Sequence, residues 1–375
     1  MACFIILFFR KRTTRKKNLP ILALFVFGTL ALSWILYGLK PESAQGRLTI
    51  YQNSFAIIKD HPFFGIGPNR FSAIYNNYQS QYFENHETPI KKQMLADNTF
   101  EAFNFILQIL AEYGLIGFSI LVWLIYQLVR EWIVRKEKFT KPISEIGSFG
   151  CIIALMISGL FSNPFHLTPV LFLLCYHLAL IYPNTKYSHN EPVQFFLAPF
   201  AVAIIFSILV FGYMFNQFVG ELNWSKASNQ AVYESFRSAQ PAYEKIHRFL
   251  NHNGDFLFNY GAEASLASEY QLAVKLLENS KNFYSSTNLY VYLGDAYMGM
   301  NQFELAEKNY LKAIWMAPSH VIPKYRLIQL YKKHGNNDKA RYWALKTLSF
   351  PVKVKSLLID DLFRDIENYL KGQLH

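Results

Sequence analysis

Five apolar runs constrain this chain more than any other feature. They are PILALFVFGTLALSWILYGL (20–39), the run ending GLIGFSILVWLIYQLV (105–129), a run around FGCIIALMISGLF (147–162), TPVLFLLCYHLALIY (168–182) and FFLAPFAVAIIFSILVFGYMF (195–215). A helix needs about 20 apolar residues to cross the hydrocarbon of a bilayer, so these runs predict a polytopic helical membrane domain. The third and fourth are short and also fit a re-entrant hairpin. Hydrophobic residues at 52% and charged residues at 17% point the same way. Cys3, Cys151 and Cys175 lie within apolar stretches and form no disulfide or metal spacing.

Charge sets the expected orientation. The segment 1–18 ends in RKRTTRKK after an apolar stretch, the reverse of a secretory signal, and reads as the end of another helix with a cytoplasmic basic tail. Under the positive-inside bias, the loop 40–104 lies outside, REWIVRKEKFTK (130–141) inside, and residues 217–375 outside. The formal net charge of +11 is then an orientation signal, and no nucleic-acid partner is expected.

The C-terminal region is repetitive. In NLYVYLGDAYMGMNQFELAEKNYLKAIWMAP, the positions Tyr290, Leu293, Gly294, Tyr297, Ala306, Tyr310, Ala313 and Pro318 fall at tetratricopeptide spacing. Gly261, Ala273 and Ala340 mark flanking copies. The expected fold class is therefore all-α: a membrane domain over 19–216 followed by an α-solenoid over 217–375. The solenoid either braces the membrane domain or holds a protein partner.

Asp97, Glu101, Asn104, Gln108 and Glu112 fall on one face of a predicted helix that enters the second apolar run. An ionisable group there is a functional suspect. Upstream, DHPFFGIGPNRF (60–71) brings His61 and a glycine-rich turn beside Arg70, a pattern able to hold an anion or simply to return the chain to the membrane surface. Tyr75, Tyr78, Tyr82 and Phe83 suit a membrane interface or sugar stacking.

The order GRL (46–48), DHPFFGIGPNRF and FNFILQILAEYGLIGF (103–118) resembles the O-antigen ligase and polymerase superfamily over about residues 20–182. LADNTFEAFNFILQ, FSNPFHLTP and the repeats look most like Bacteroidetes versions. The resemblance implies a glycosyltransferase in the cytoplasmic membrane, working on its external, periplasmic side. The implied substrates are a polyprenyl diphosphate-linked glycan and an acceptor hydroxyl on lipid A core, glycan or protein, without metal or cofactor. Members of that superfamily carry several more helices ahead of the matched region, with another arginine holding the diphosphate, and this sequence is expected to lack them.

By the resemblance Arg47 is the loop arginine that stabilises the leaving diphosphate, with Arg70 second, and Asn104 stands at the motif asparagine. Where the family carries its histidine, this chain has Phe103. His166, Asp97, Glu101 and His61 are the candidate replacements as base, because an acceptor hydroxyl must lose its proton. Glu112 is a candidate substrate contact or a structural anchor at the glycine bend. The competing class is a catalytically inactive membrane anchor that presents the repeats.

Overall fold

The computed structural model describes residues 41–138, 143–181 and 194–373. The expected first span, the basic N-terminal segment and the loop 183–193 lie outside these residues. Every regular element described is helical. The chain divides into two compact units, Met1–Phe71 with Glu101–Ser188, and Ser72–Phe100 with His189–His375. The sequence placed the whole loop 40–104 with the membrane domain; its second half folds with the repeats instead.

In the first unit, α1 (Pro41–Asp60) precedes a turn ending at Phe71, the first residue of α2 (Phe71–Asn85). Among its other elements are α4 (Phe105–Lys138), α5 (Ile143–Gly159), a 3-10 turn (Pro164–His166) and α6 (Thr168–Ile181), while α3 (Ile90–Leu95) belongs to the second unit. The stretch Phe105–Arg130 is long and apolar enough to cross a membrane, with large apolar side chains exposed from Leu115 to Val129. Helices α5 and α6 are apolar but shorter. They pack on one another through Phe149, Ile152 and Ile181, so these two expected spans form a short helical pair.

Gly114 breaks α4, at φ 63° and ψ −163°, a region essentially reserved for glycine. A broken helix frees backbone groups that cannot stay unpaired in an apolar setting. The turn after α1 takes them up. Ile66 and Gly67 donate to the carbonyls of Ala111 and Glu112, both at 2.9 Å. Leu115 and Ile116 donate back to Pro62 and Phe63, at 2.8 and 3.2 Å. The approach is so close that a Cβ on Gly114 would sit 2.3 Å from the Phe63 carbonyl oxygen. A Cβ on Gly65 would lie 2.4 Å from the Glu112 carbonyl carbon. The two glycine motifs are therefore the halves of one junction.

In the second unit, α7 (Gln194–Tyr233) contains the other stretch of membrane-crossing length, Ile204–Tyr233, which is 6% buried in its most apolar part. Its C-terminal part reaches the repeats, where Trp224 donates to Asn259 at 2.8 Å. Helix α8 (Phe236–Leu250) and the pairs α9/α10 (Gly254–Leu266, Tyr270–Ser280), α11/α12 (Thr287–Gly299, Phe303–Met316) and α13/α14 (Val321–Lys333, Asn337–Ser349) follow. Helix α15 (Leu357–Gly372) ends the array.

Polar caps start these helices: Asn253, Ser286, Asn336 and Ser356 each accept from the amide three residues on. Ser268, Asn301 and Gly335, at spacings of 33 and 34 residues, take left-handed backbone in the turn inside each pair. Ala273, Ala306 and Ala340 are wholly buried, as the repeat pattern requires. Gly294 lets the Tyr310 ring approach to where a Cβ would be 2.4 Å away. The α-solenoid expected from the sequence is present.

Residues 72–100 fill one surface of this array. Asn76 donates to the Ser285 carbonyl at 2.6 Å, Gln79 to Met316 at 2.6 Å and Ser80 to Lys312 at 3.3 Å. Asn98 accepts from the Thr287 amide at 2.8 Å, and Asn77 from the Tyr290 hydroxyl at 2.9 Å. Tyr75 and Phe83 are buried here, and Tyr82 stacks on His86 and receives Lys92, so these rings face protein. Tyr75 and Phe83 are therefore taken up by packing within the second unit.

Candidate functional site

The first unit gathers several of the sequence candidates around residues 160–166. Asn104 begins α4 by accepting from the amides of Ile106 and Leu107, at 3.0 and 3.1 Å. Its amide nitrogen donates to the Leu160 carbonyl at 3.0 Å. Arg47, half-buried on α1, donates to the next carbonyl, Phe161, at 2.8 Å. Its guanidinium lies 5.6 Å from the centre of the Phe103 ring, a cation–π arrangement. Two neighbouring carbonyls of one turn thus anchor the loop arginine and the motif asparagine.

His166 ends the 3-10 turn, and its Nε2 lies 3.9 Å from Glu101 Oε1. The imidazole is 66% exposed and the carboxylate 31%, so an incoming hydroxyl can reach both. Phe105 and Phe165, with ring centres 4.3 Å apart, fix the turn against α4. Phe103 holds a left-handed backbone, φ 49°, unusual for a bulky residue and a marker of local strain. Arg47 and Asn104 thus bond to carbonyls 161 and 160, and Glu101 approaches His166 at the end of the same 160–166 stretch.

The polar stripe has a second function further along the helix. Gln108 accepts from the Ala102 amide at 2.8 Å and donates to Glu112 at 2.9 Å. Glu112 is 6% exposed and also accepts from the Phe71 amide at 3.3 Å, where α2 begins. A carboxylate suits a helix start, where backbone N–H groups lack partners. Of the two roles open for Glu112, substrate contact or structural anchor, its burial and these partners fit the anchor.

Asp97 is corrected as well. It lies in the second unit, where Oδ1 meets His320 Nε2 at 3.1 Å and Oδ2 meets Lys353 Nζ at 2.9 Å. Burial alone would push its carboxyl up, but the bonds from His320 and Lys353 prevail and hold it well below the usual carboxylate range. Such a group is a poor base. The sequence showed the acid but not its partners, more than 200 residues away. His61 is an exposed turn residue whose carbonyl accepts from Gly65 at 3.2 Å. Arg70 is exposed, its stem lying against Gly67. Neither is brought to the locality of Arg47 by any contact among the described residues.

The Asp97 pairing predicts a pH dependence. The folded carboxyl ionises at lower pH than the unfolded one. Its contribution to stability is therefore complete above about pH 5 and is lost as pH falls below about 4. Solvent screening limits a carboxylate that is 47% exposed to about 1 kcal/mol. The melting difference between the wild-type chain and Asp97→Asn, measured in detergent, is expected to be clear at about pH 6 and to shrink progressively as pH falls below about 4, where the unfolded carboxyl begins to take up its proton.

No group of three or more potential metal ligands occurs among the described residues. No curated protein matches the chain. A solved structure titled "Crystal structure of MamA" is similar over 40% of this chain and 92% of its own, at 20% identity and a TM-score of 0.32. Residues 1–122, which include Arg47, Phe103 and Asn104, match the model of the family described as O-Antigen ligase.

Proposed function

We propose that the chain is a membrane glycosyltransferase of the O-antigen ligase and polymerase type. It moves a glycan from a polyprenyl diphosphate to an acceptor hydroxyl on the external face of the cytoplasmic membrane. The observation that carries this reading is the shared locality of Arg47, Asn104, Glu101 and His166 at one turn, within a unit whose first part matches the ligase family.

Arg47 has the fork geometry that suits a phosphate, and in the transition state it meets charge building on the leaving diphosphate. His166, with Glu101 beside it, takes the proton of the acceptor hydroxyl as its oxygen attacks the anomeric carbon. The bond from that carbon to the diphosphate oxygen breaks, and the polyprenyl diphosphate departs. The sugar residues held and the nature of the acceptor follow from groups other than these four.

One observation favours a second reading, an inactive anchor: the Phe103 ring, not a histidine, faces the Arg47 guanidinium. Expression of the full chain in membranes supplied with a polyprenyl diphosphate-linked glycan separates the two. Transfer above the empty-vector background supports the enzyme. Normal membrane insertion without transfer supports the anchor.

A further inference from the structure

Each pair of the repeat array presents its first helix toward the first helix of the next. Phe258 on α9 contacts Tyr292 on α11, with ring centres 6.0 Å apart, and Asp295 on α11 meets Arg326 on α13 at 3.4 Å. The contacts continue in the other direction. Phe258 lies 5.4 Å from Tyr284, and Tyr284 stacks at 5.4 Å on Phe100, which is 41% exposed. Four aromatic rings therefore form a row within the second unit, of which Phe258, Tyr284 and Tyr292 are half-buried against the repeat core.

Polar groups of opposite charge flank this row, one beside Tyr284 and one beside Tyr292. Asp255 lies beside Tyr284 and makes no hydrogen bond or ion pair among the described residues, while burial pushes its carboxyl up. Beside Tyr292, Arg326 uses Nε toward Asp295 and is 41% exposed, leaving the outer guanidinium nitrogens without a protein partner among the described residues. Asp295 is itself held by the Tyr310 hydroxyl at 2.6 Å.

We infer that this row is a glycan-binding groove, which takes an oligosaccharide segment of the donor or the acceptor. The partly exposed rings offer apolar surface to the C–H groups of pyranoses, and ring centres repeat every 5.4–6.0 Å along the row. The carboxylate of Asp255 accepts from sugar hydroxyls, and the free guanidinium nitrogens of Arg326 donate to them. A cationic peptide would gain from Asp255 but would meet Arg326 at the far end. A polyhydroxylated chain satisfies both.

The inference rests on the glycan-transfer reading, so binding and turnover are measured separately. The full chain in detergent micelles is titrated with oligosaccharides released by mild acid from the envelope of its native cell, and separately with tetralysine. Saturation-transfer NMR reads which sugar protons lie on the rings. The expected result is sugar binding with C–H contacts, weakened about tenfold in Tyr292→Leu and also weakened in Asp255→Asn and Arg326→Gln, with unchanged helical circular dichroism.

Absence of sugar binding in the folded wild-type chain overturns the groove, as does binding unaffected by all three substitutions. Binding of tetralysine alone, lost in Asp255→Asn, overturns it in favour of a peptide surface. Sugar binding with these mutational losses but no transfer by the wild-type chain upholds the groove and removes the transferase reading. Transfer without sugar binding does the reverse.

Discussion

Gly114→Ala is expected to unfold the first unit or to lower its melting temperature by about 6–12 °C. Two costs combine at this position. The backbone at φ 63° and ψ −163° is one that an alanine occupies only under strain, about 1–3 kcal/mol. The new methyl group would also meet the Phe63 carbonyl oxygen at 2.3 Å, and neither backbone can withdraw without losing the four hydrogen bonds that cross the junction. A combined cost of about 3 kcal/mol converts to the stated shift for a unit of this size. Gly212→Ala is the control. It sits in α7 with open space where its Cβ would be, and alanine there is expected to be neutral or slightly stabilising. Thermal melting of the detergent-solubilised variants distinguishes the two. Equal melting temperatures for Gly114→Ala and the wild-type chain would show that the junction carries no such constraint.

The second large effect is on turnover. His166→Ala is expected to reduce the rate of glycan transfer by about 10²–10⁴-fold, the usual contribution of a positioned base. Arg47→Lys is expected to cost about 10²-fold, because a lysine retains the charge but not the fork that can hold the Phe161 carbonyl and a phosphate oxygen together. Glu101→Gln removes the negative charge near the imidazole while leaving its shape, and a smaller loss is expected. The losses should appear in kcat at saturating glycan carrier, with membrane insertion unchanged. Full turnover in both His166→Ala and Glu101→Gln would reject the base assignment. Phe103→His is informative in the same assay: a gain in rate would show that the ring facing Arg47 occupies a position able to serve the chemistry.

Much of the scaffold was legible in the sequence. Local rules were sufficient for the repeats, because each pair is specified by short-range signals: a polar cap, a left-handed residue in the turn, and small residues opposite large ones. Ala306 against Tyr310 and Gly294 is visible in a window of about 20 residues. The apolar run entered by the stripe was equally clear, and Phe105–Arg130 has the expected length. The short helices α5 and α6 were harder, since apolar runs of 14–17 residues do not by composition alone separate a membrane-crossing helix from a re-entrant pair.

The polar stripe shows where such reading ends. Helical spacing placed Asp97, Glu101, Asn104, Gln108 and Glu112 on one face, yet α4 starts only at Phe105. Asp97 and Glu101 precede it in extended and bent backbone. The five residues divide among three tasks. Asp97 ties the segment 72–100 to His320 and Lys353, Glu101 approaches His166, and Asn104, Gln108 and Glu112 satisfy backbone groups at the starts of α2 and α4. No periodicity could separate these tasks, because each depends on a partner distant in the chain.

The sequence by itself determined the helical class, the repeat array and the apolar segments, since helix periodicity, caps and hydrophobic length act over neighbouring residues. It also identified both glycine motifs. Only the tertiary structure decided that Gly65 and Gly114 meet, that residues 72–100 fold on the repeats, and that Arg47, Asn104, Glu101 and His166 share one turn. In the first two cases a broken backbone or a buried polar group must find a partner, and in all three the partner is distant in the chain and is set by proximity in space.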